Sequence, residues 1–438
     1  MRFALAVLLG RVIRFVGKFI GRSTTLPGRL ALRLDPDFLR KMKFDGKVLA
    51  VTGSNGKTTT QNLIAHILRE NGYSVINNTE GSNLSAGVAT TLLEHCTLGG
   101  RIKSDFVVLE VDERFTPIVF SQIPLDIFLV NNLLRDQVVR NGNPDIVLEK
   151  IAEAAPHAGT LVLNADDPIS LQLADGRQPG TVVTFGMART PHSTDSCQHL
   201  THDAKVCPKC FGKMEYDFFH YNHIGSFHCP KCGYHTPAPD FLAEGVDFES
   251  GDFTIDGAPA HVDYMTAFYF MNFTAATAVC ATAGVPLEAA IRAGESFTVS
   301  RVRYDEFDVD GRRAILMLTK QNPVSLDQNI DYVITQPGPK TVALYVNNVL
   351  YTEDKDISWL YDVSFERLVG RVDHVVCSGS RAYDLAVRLE LAGFDPERLI
   401  IEADNAKLRE AMRRSTGTIY VLAASAFGDD DGILEVLK

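Results

Sequence analysis

The chain has 438 residues, 45% apolar and 22% charged, with 43 Lys and Arg against 54 Asp and Glu for a net charge of −11. At roughly 150 residues per domain this length predicts about three domains, and the composition excludes a disordered, collagen-like or disulfide-stapled chain. An acidic chain without an arginine-rich face also lacks the field of a general nucleic-acid binder.

Residues 1–47 carry eleven basic and only three acidic residues. The apolar stretch 3–20 is interrupted by Arg11, Arg14 and Lys18, so it falls short of the roughly 20 apolar residues that span a bilayer, and it has no signal-peptide cleavage site. On a helix, Arg11, Arg14, Lys18 and Arg22 share one stripe, with Leu8, Val12, Phe15, Val16 and Phe19 on the other side. Such a helix is expected to pack on the body of the protein. The alternative is peripheral contact with an anionic membrane surface.

From Lys47 onward, short apolar runs alternate with helical periods, the pattern of a parallel α/β sheet covered on both faces. The predicted strands are residues 48–52, 106–111, 127–130, 161–164 and 182–185, with a helix over 59–70 that puts Leu63, Ile64, Ile67 and Leu68 on one face. Residues 190–238, rich in Cys, His, Lys, Pro and aromatics, break this rhythm as an insertion, and helical periodicity returns at 267–283. Beyond a boundary near 300–310, strands at 341–345, 374–377 and 418–422 and a helix at 382–391 predict a second α/β domain. The expected division is an amphipathic helical segment at 1–45, an ATP-binding domain at 46–303 with an insertion at about 196–238, and a C-terminal α/β domain at 304–438.

The sharpest chemical signal is Thr52-Gly53-Ser54-Asn55-Gly56-Lys57-Thr58-Thr59-Thr60, which joins a predicted strand to a predicted helix. Glycines permit the tight turn in which backbone N–H groups and the helix N-terminus surround phosphate oxygens. In such a loop Lys57 reaches the β- and γ-phosphates and the Thr58 hydroxyl sits on Mg²⁺. Val51 stands where the generic phosphate-loop pattern has its first glycine.

Two Cys-x-x-Cys knuckles, Cys207-Pro208-Lys209-Cys210 and Cys229-Pro230-Lys231-Cys232, are separated by eighteen residues. That spacing predicts a tetrahedral Zn²⁺ ribbon, and four thiolates leave no open position, so the site is structural. His220, His223 and His228 are expected bystanders, Cys197 is a weaker alternative ligand, and Cys96, Cys280 and Cys377 read as small buried residues. The acidic run 429–431 reads as solvated surface.

The form Thr-Gly-x-Asn-Gly-Lys-Thr-Thr-Thr resembles the Mur ligase family of ATP-dependent amide-bond formers. Glu110 in Leu109-Glu110-Val111-Asp112-Glu113 matches the family's Mg²⁺-binding glutamate, and Asp112 and Glu113 read as supporting groups of that metal shell. Asn131 to Gln137 resembles the Asn-x-x-x-Asp-His segment with Gln137 for histidine, and Asn164-Ala165-Asp166-Asp167 matches a recurrent turn. Asn272 resembles the helix-start asparagine that contacts adenine, with Tyr269 at the more usual preceding position, and Ser300-Arg301-Val302-Arg303 is a degraded Gly-Arg-x-Glu. Only about 45 residues precede the loop, too few for the nucleotide-sugar domain of the peptide-adding ligases. Lys320-Gln321-Asn322-Pro323, Asp356-Ile357-Ser358-Trp359 and Ser378-Gly379-Ser380-Arg381 resemble the ligase-like subunits of two-subunit lipid II amidotransferases, so the likeness runs over nearly the whole chain.

The resemblance implies a cytoplasmic ligase subunit that uses ATP and Mg²⁺ to convert the α-carboxylate of D-glutamate in the lipid II stem peptide to D-isoglutamine through an acyl phosphate. It implies nucleotide contacts from Gly53, Asn55, Gly56, Lys57, Thr58, Thr59 and Asn272, catalysis by Lys57, and magnesium at Thr58 and Glu110. The chain carries no glutaminase signature of its own, so a partner subunit is expected to make the ammonia, and the resemblance implies that this is a GatD-type class I glutamine amidotransferase subunit. Asp356 would complete that partner's catalytic triad, with Asp354 and Asp362 as nearby alternatives. A scaffold that only binds nucleotide and a zinc-ribbon nucleic-acid ATPase are the rival readings. The retained Lys57, Thr58 and Glu110 weigh against the first, and the acidic charge against the second.

Overall fold

The computed structural model describes residues 2–17, 24–78, 82–136, 142–263, 266–298, 304–319, 321–347, 356–424 and 437. Lys18, Phe19, Arg22, Gln137, the segment 300–303, Lys320, Asp354 and the run 429–431 lie outside the described residues. Two compact units are formed, one from residues 1–134, 144–195 and 204–297 and the other from 135–143, 196–203 and 298–438.

The first unit is built on a nine-stranded sheet. Its strands are β1 (Lys47–Thr52), β2 (Val75–Asn77), β3 (Phe106–Glu110), β4 (Leu125–Val130), β5 (Ala158–Asn164), β6 (Val182–Met187), β7 (Phe241–Glu244), β8 (Asp252–Ile255) and β9 (Ala258–His261). Their order is β9-β8-β7-β6-β5-β4-β1-β3-β2. Seven strands run parallel, and β8 and β9 close one edge as an antiparallel pair. The seven strands bear out the expected parallel sheet, and the antiparallel edge is an addition to it. The Asp256-Gly257 turn, with both residues at positive φ, returns the chain at once instead of through a crossover helix.

Around this sheet stand α1 (Arg2–Gly17), α2 (Leu26–Leu34), α3 (Lys57–Glu70), α4 (Ser85–His95), α5 (Thr116–Phe120), α6 (Pro144–Ala154), α7 (Ala267–Ala283) and α8 (Leu287–Glu295). Strand β1 is buried at every position after Lys47, because Val48 and Ala50 face a core shared with α1, α2 and α4 while Leu49 and Val51 are buried on the other face. Helix α7 is buried on nearly its whole circumference, which explains its almost continuous apolar and small-residue sequence. The Thr266 side chain caps its start, and Gly284 in the left-handed region ends it.

Helix α1 does pack on the body, but through the opposite face to the one expected. Ala6, Val7 and Gly10 are buried, whereas Leu8, Val12, Phe15 and Val16 are exposed. Arg11 donates to Leu93 O at 3.3 Å, to Glu94 O at 3.2 Å and to Cys96 O, and Arg14 pairs with Glu94 at 2.5 Å. The arginines find their partners at the C-terminal end of α4, where helix carbonyls lack intrahelical donors.

The second unit holds a six-stranded sheet of β10 (Tyr304–Val309), β11 (Arg312–Thr319), β12 (Lys340–Val346), β13 (His374–Ser378), β14 (Leu399–Glu402) and β15 (Thr418–Ala424). The order is β10-β11-β15-β12-β13-β14, parallel except for the antiparallel β10–β11 edge. Its helices are α9 (Pro323–Thr335), α10 (Ala382–Leu391) and α11 (Leu408–Arg413). Buried Arg388 on α10 donates to Leu360 O at 3.3 Å and Val363 O at 2.8 Å and pairs with Glu366 at 2.9 Å. It thereby fixes the two 3-10 turns Ser358–Asp362 and Phe365–Leu368. Arg388→Ala strands two carbonyls, so the C-terminal unit should lose about 2–4 kcal/mol, read as a lower midpoint of its own transition in urea unfolding followed by Trp359 fluorescence.

Candidate functional site

The C-terminal ends of β1, β3, β4 and β5 meet along one sheet edge, where Val51 pairs with Glu110 and Thr52 with Val130. In a parallel sheet this edge is the ligand-binding side. The phosphate loop leaves β1 there and enters α3 at Lys57.

Gly53 (φ 131°) and Gly56 (φ 82°) adopt backbone that side chains disfavour. A Cβ on Gly53 would lie 2.8 Å from Asn132 O, and one on Gly56 would lie 2.3 Å from Asn272 Oδ1. The loop is held from outside by the segment after β4. Asn132 Oδ1 accepts the Asn55 N–H at 2.9 Å, and its Nδ2 donates to Asn55 O at 3.1 Å. Ser54 N–H donates to Asn132 O at 2.9 Å, and Ser54 Oγ both donates to Leu134 O and accepts from Leu134 N–H at 2.8 and 2.9 Å. Asn131 Nδ2 reaches Asn55 O at 3.0 Å and Asn272 Oδ1 at 2.6 Å. Asn272 thereby joins the wall of the phosphate loop.

Lys57 is buried, with its Nζ 2.5 Å from Gly53 O and 2.5 Å from Glu113 Oε1. Glu113, read from the sequence as a metal-shell group, is the ion-pair partner of Lys57. Asp112 Oδ1 accepts the Arg114 N–H at 3.2 Å and caps the turn that presents Glu113. Thr58 and Thr59 open α3 half-buried. Glu110 is 1% exposed; its Oε1 accepts from Asn83 at 3.1 Å, and its buried Oε2 has no hydrogen-bond partner. A buried, unbonded carboxylate oxygen costs free energy unless a cation or donor meets it, so Glu110 fits a Mg²⁺ ligand. Asn78 brackets the Glu110 peptide by accepting from its N–H and donating to its carbonyl, both at 2.9 Å. Neither Asn78 nor Asn83 carried a local sequence signal, because both act across more than 25 residues of chain.

The four knuckle cysteines converge, with all four Sγ atoms within 4.8 Å of one another, Cys207–Cys232 at 3.6 Å and Cys210–Cys229 at 3.5 Å. Sulfurs on a tetrahedral Zn²⁺ with 2.3 Å bonds lie about 3.8 Å apart, so the set fits that ion. The knuckles are built alike. Phe211 N–H donates to Cys207 O and Gly233 N–H to Cys229 O, both at 2.9 Å, with Phe211 and Gly233 each at positive φ. Burial of the Cys229 thiol opposes ionisation, but the N–H groups of Cys232 and Lys231 and the Cys210 and Cys232 thiols outweigh it, bringing its pKa to about 7. Among the described residues no histidine joins the cluster. His228 faces Glu215 and Asp217 on the surface, and buried His220 lies 2.9 Å from Met187 O. Buried His223 lies 3.3 Å from Asp167, whose Oδ2 accepts the Leu133 N–H at 2.8 Å. The Cys197 Sγ donates to His199 O at 3.5 Å.

In the C-terminal unit Asp356 is half-buried, and both its oxygens are engaged by Ser358, from the N–H and the Oγ, each at 2.9 Å. Trp359 is 6% exposed and packs in the unit's core, anchoring that turn. Asp362 is instead paired with Arg135 at 3.1 Å.

Comparison with known proteins agrees with these features. Residues 51–229 match the Mur ligase middle domain, and residues 318–426 match the MurT ligase C-terminal domain. The subunit MurT of lipid II isoglutaminyl synthase (glutamine-hydrolyzing) from Staphylococcus aureus (strain COL) is 31% identical over 92% of this chain and 91% of its own. The chain belongs to the MurT family of Mur ligase-like proteins. The Streptococcus pneumoniae (strain ATCC BAA-255 / R6) member is 29% identical over 97% of this chain and 94% of its own. Among solved structures, a pseudomurein peptide ligase type C from Methanothermus fervidus shares the fold, with TM-score 0.69 and 19% identity over 92% of this chain and 81% of that one.

The ribbon yields a direct test. Purified protein should carry one Zn²⁺ per chain, and Cys207→Ser should lose it together with several degrees of melting temperature, because a closed Cys₄ site contributes folding free energy. Elemental analysis beside a thermal melt reads both.

Proposed function

We propose that this chain is the ligase subunit of a lipid II isoglutaminyl synthase, amidating the α-carboxylate of D-glutamate in the stem peptide of lipid II with ammonia from a GatD-type glutaminase subunit. The observation that carries the reading is the phosphate loop, with buried Lys57 and the unbonded Glu110 oxygen at one sheet edge, in a chain of the MurT family.

A carboxylate is a poor electrophile, and bound ATP with Mg²⁺ would supply the phosphoryl group that makes it an acyl phosphate open to ammonia. The loop N–H groups and the α3 N-terminus would bind phosphate oxygens. Lys57 would exchange Glu113 for the β- and γ-phosphates and offset charge developing in transfer. Thr58 and Glu110 would hold the metal, and the Asn131–Asn132 clamp would keep Gly53 to Gly56 in a receptive shape before nucleotide arrives. Asp356, with its orientation set by Ser358 and no ion-pair partner among the described residues, is the acid for the partner's catalytic histidine, whereas Asp362 is occupied by Arg135.

Lys57 is buried against Glu113, so Lys57→Ala alone would leave an uncompensated carboxylate and destabilise the fold. The informative variant is Lys57→Ala/Glu113→Gln. It should remain folded, with a melting temperature nearer the wild-type value than that of Lys57→Ala, while amidation of lipid II by the two-subunit complex falls at least ~10²-fold; undiminished product by mass spectrometry would refute the role.

For Asp356→Asn, glutamine hydrolysis by the complex should drop by roughly 10²–10⁴-fold, the range for losing the acid of a triad, while amidation driven by added ammonium persists. Unchanged glutaminase activity would remove Asp356 from the partner's site.

A further inference from the structure

Helix α1 buries its small residues and exposes its large ones. Gly10 packs so closely that a Cβ would lie 2.3 Å from Leu93 Cδ1, and Phe3 stacks on Phe38 at 4.8 Å between ring centroids. With Arg11 and Arg14 tied to the end of α4, the rotation of the helix about its axis is set. Leu5, Leu8, Leu9, Val12, Phe15 and Val16 are then 39–67% exposed. At 3.6 residues per turn they fall within an arc of about 120°. A helix stabilised only by packing on its own chain would bury this side, since that is where its apolar area lies.

Charge says what covers the ridge. Residues 1–47 hold eleven basic against three acidic residues in a chain of net charge −11, and Arg2, Arg29 and Arg33 of α1 and α2 are exposed. An apolar helical face set in a locally basic, globally acidic protein matches an anionic bilayer surface, which takes apolar side chains into its acyl boundary and attracts cations at its headgroups. No helix among the described residues is long and apolar enough to cross a membrane.

We propose that the exposed ridge of α1 seats the protein on an anionic lipid bilayer, lying in the interface plane. The ridge thereby holds the enzyme where a lipid-linked substrate resides, and this biological sense rests on the function proposed above, although the lipid binding itself does not.

The test is co-sedimentation of the full chain with vesicles of phosphatidylglycerol and phosphatidylcholine, and with phosphatidylcholine alone. Wild-type protein should bind the anionic vesicles at least ~10-fold more tightly, with affinity falling as salt rises. Leu8→Gln/Val12→Gln/Val16→Gln should weaken that binding at least ~10-fold at an unchanged melting temperature. Arg29→Glu/Arg33→Glu should lower it in a salt-dependent way. Failure of wild type to bind, or wild-type binding by the triple variant, overturns the proposal. So does a lower melting temperature of the triple variant, a wild-type dimer that the substitutions dissociate, or loss of the glutaminase subunit, since each would give the ridge another occupant. Amidation assays separate this from the function. The triple variant should match wild type on detergent-solubilised lipid II and fall behind on vesicle-embedded lipid II. Absence of amidation by wild type in both formats would refute the function while leaving vesicle binding intact.

Discussion

The buried ion pair between Lys57 and Glu113 is the constraint around which the first unit is arranged. Two opposite charges, each about 3% exposed, are 2.5 Å apart at the edge of a parallel sheet. Removing such charges from water costs several kcal/mol each, and the pair is offset by its short contact and by the bond that Lys57 also donates to Gly53 O. Glu113 arrives by way of β3 and the Asp112 cap, and Lys57 by way of β1 and the loop. The register of β1 against β3 therefore decides whether the charges meet.

A second constraint ties the ribbon to the same edge. Asp167 accepts from Leu133 N–H, two residues beyond Asn131, and its other oxygen faces His223 on the turn between the ribbon strands Glu215–Tyr221 and Ile224–His228. The cysteine cluster thus lies at one end of a hairpin whose other end touches the segment that clamps the phosphate loop. His223 belongs to that tie and not to the cysteine cluster. Asp166 beside it has its pKa raised by burial to about 7, and burial lowers that of His220 to about 4. Burial thus favours the uncharged form of each.

In the C-terminal unit the same logic works with an apolar anchor. Trp359 and Leu360 sink into the core, Arg388 collects the carbonyls that the 3-10 turn leaves open, and Asp356 is left at the lip with Ser358 setting its orientation. A carboxylate held in this way loses little conformational entropy on meeting a partner.

By itself, the sequence determined those features that depend on residues close together in the chain. The glycine spacing of 53–56, the Cys-x-x-Cys pairs, the helices 267–283 and 382–391 and the parallel strands were legible because backbone conformation, chelate spacing and buried periodicity are local properties. Tertiary structure alone decided which partner each polar group received: Glu113 for Lys57, Asn131 for Asn272, Asp167 for His223, and Arg135 for Asp362. It also decided which side of α1 faces out, since amphipathic periodicity shows that a helix has two faces but not which surface meets each. The antiparallel edge β8–β9 escaped prediction for a related reason. Strands of four residues have too few positions to show their period, and their direction is set by a turn and a neighbouring edge, not by their own composition.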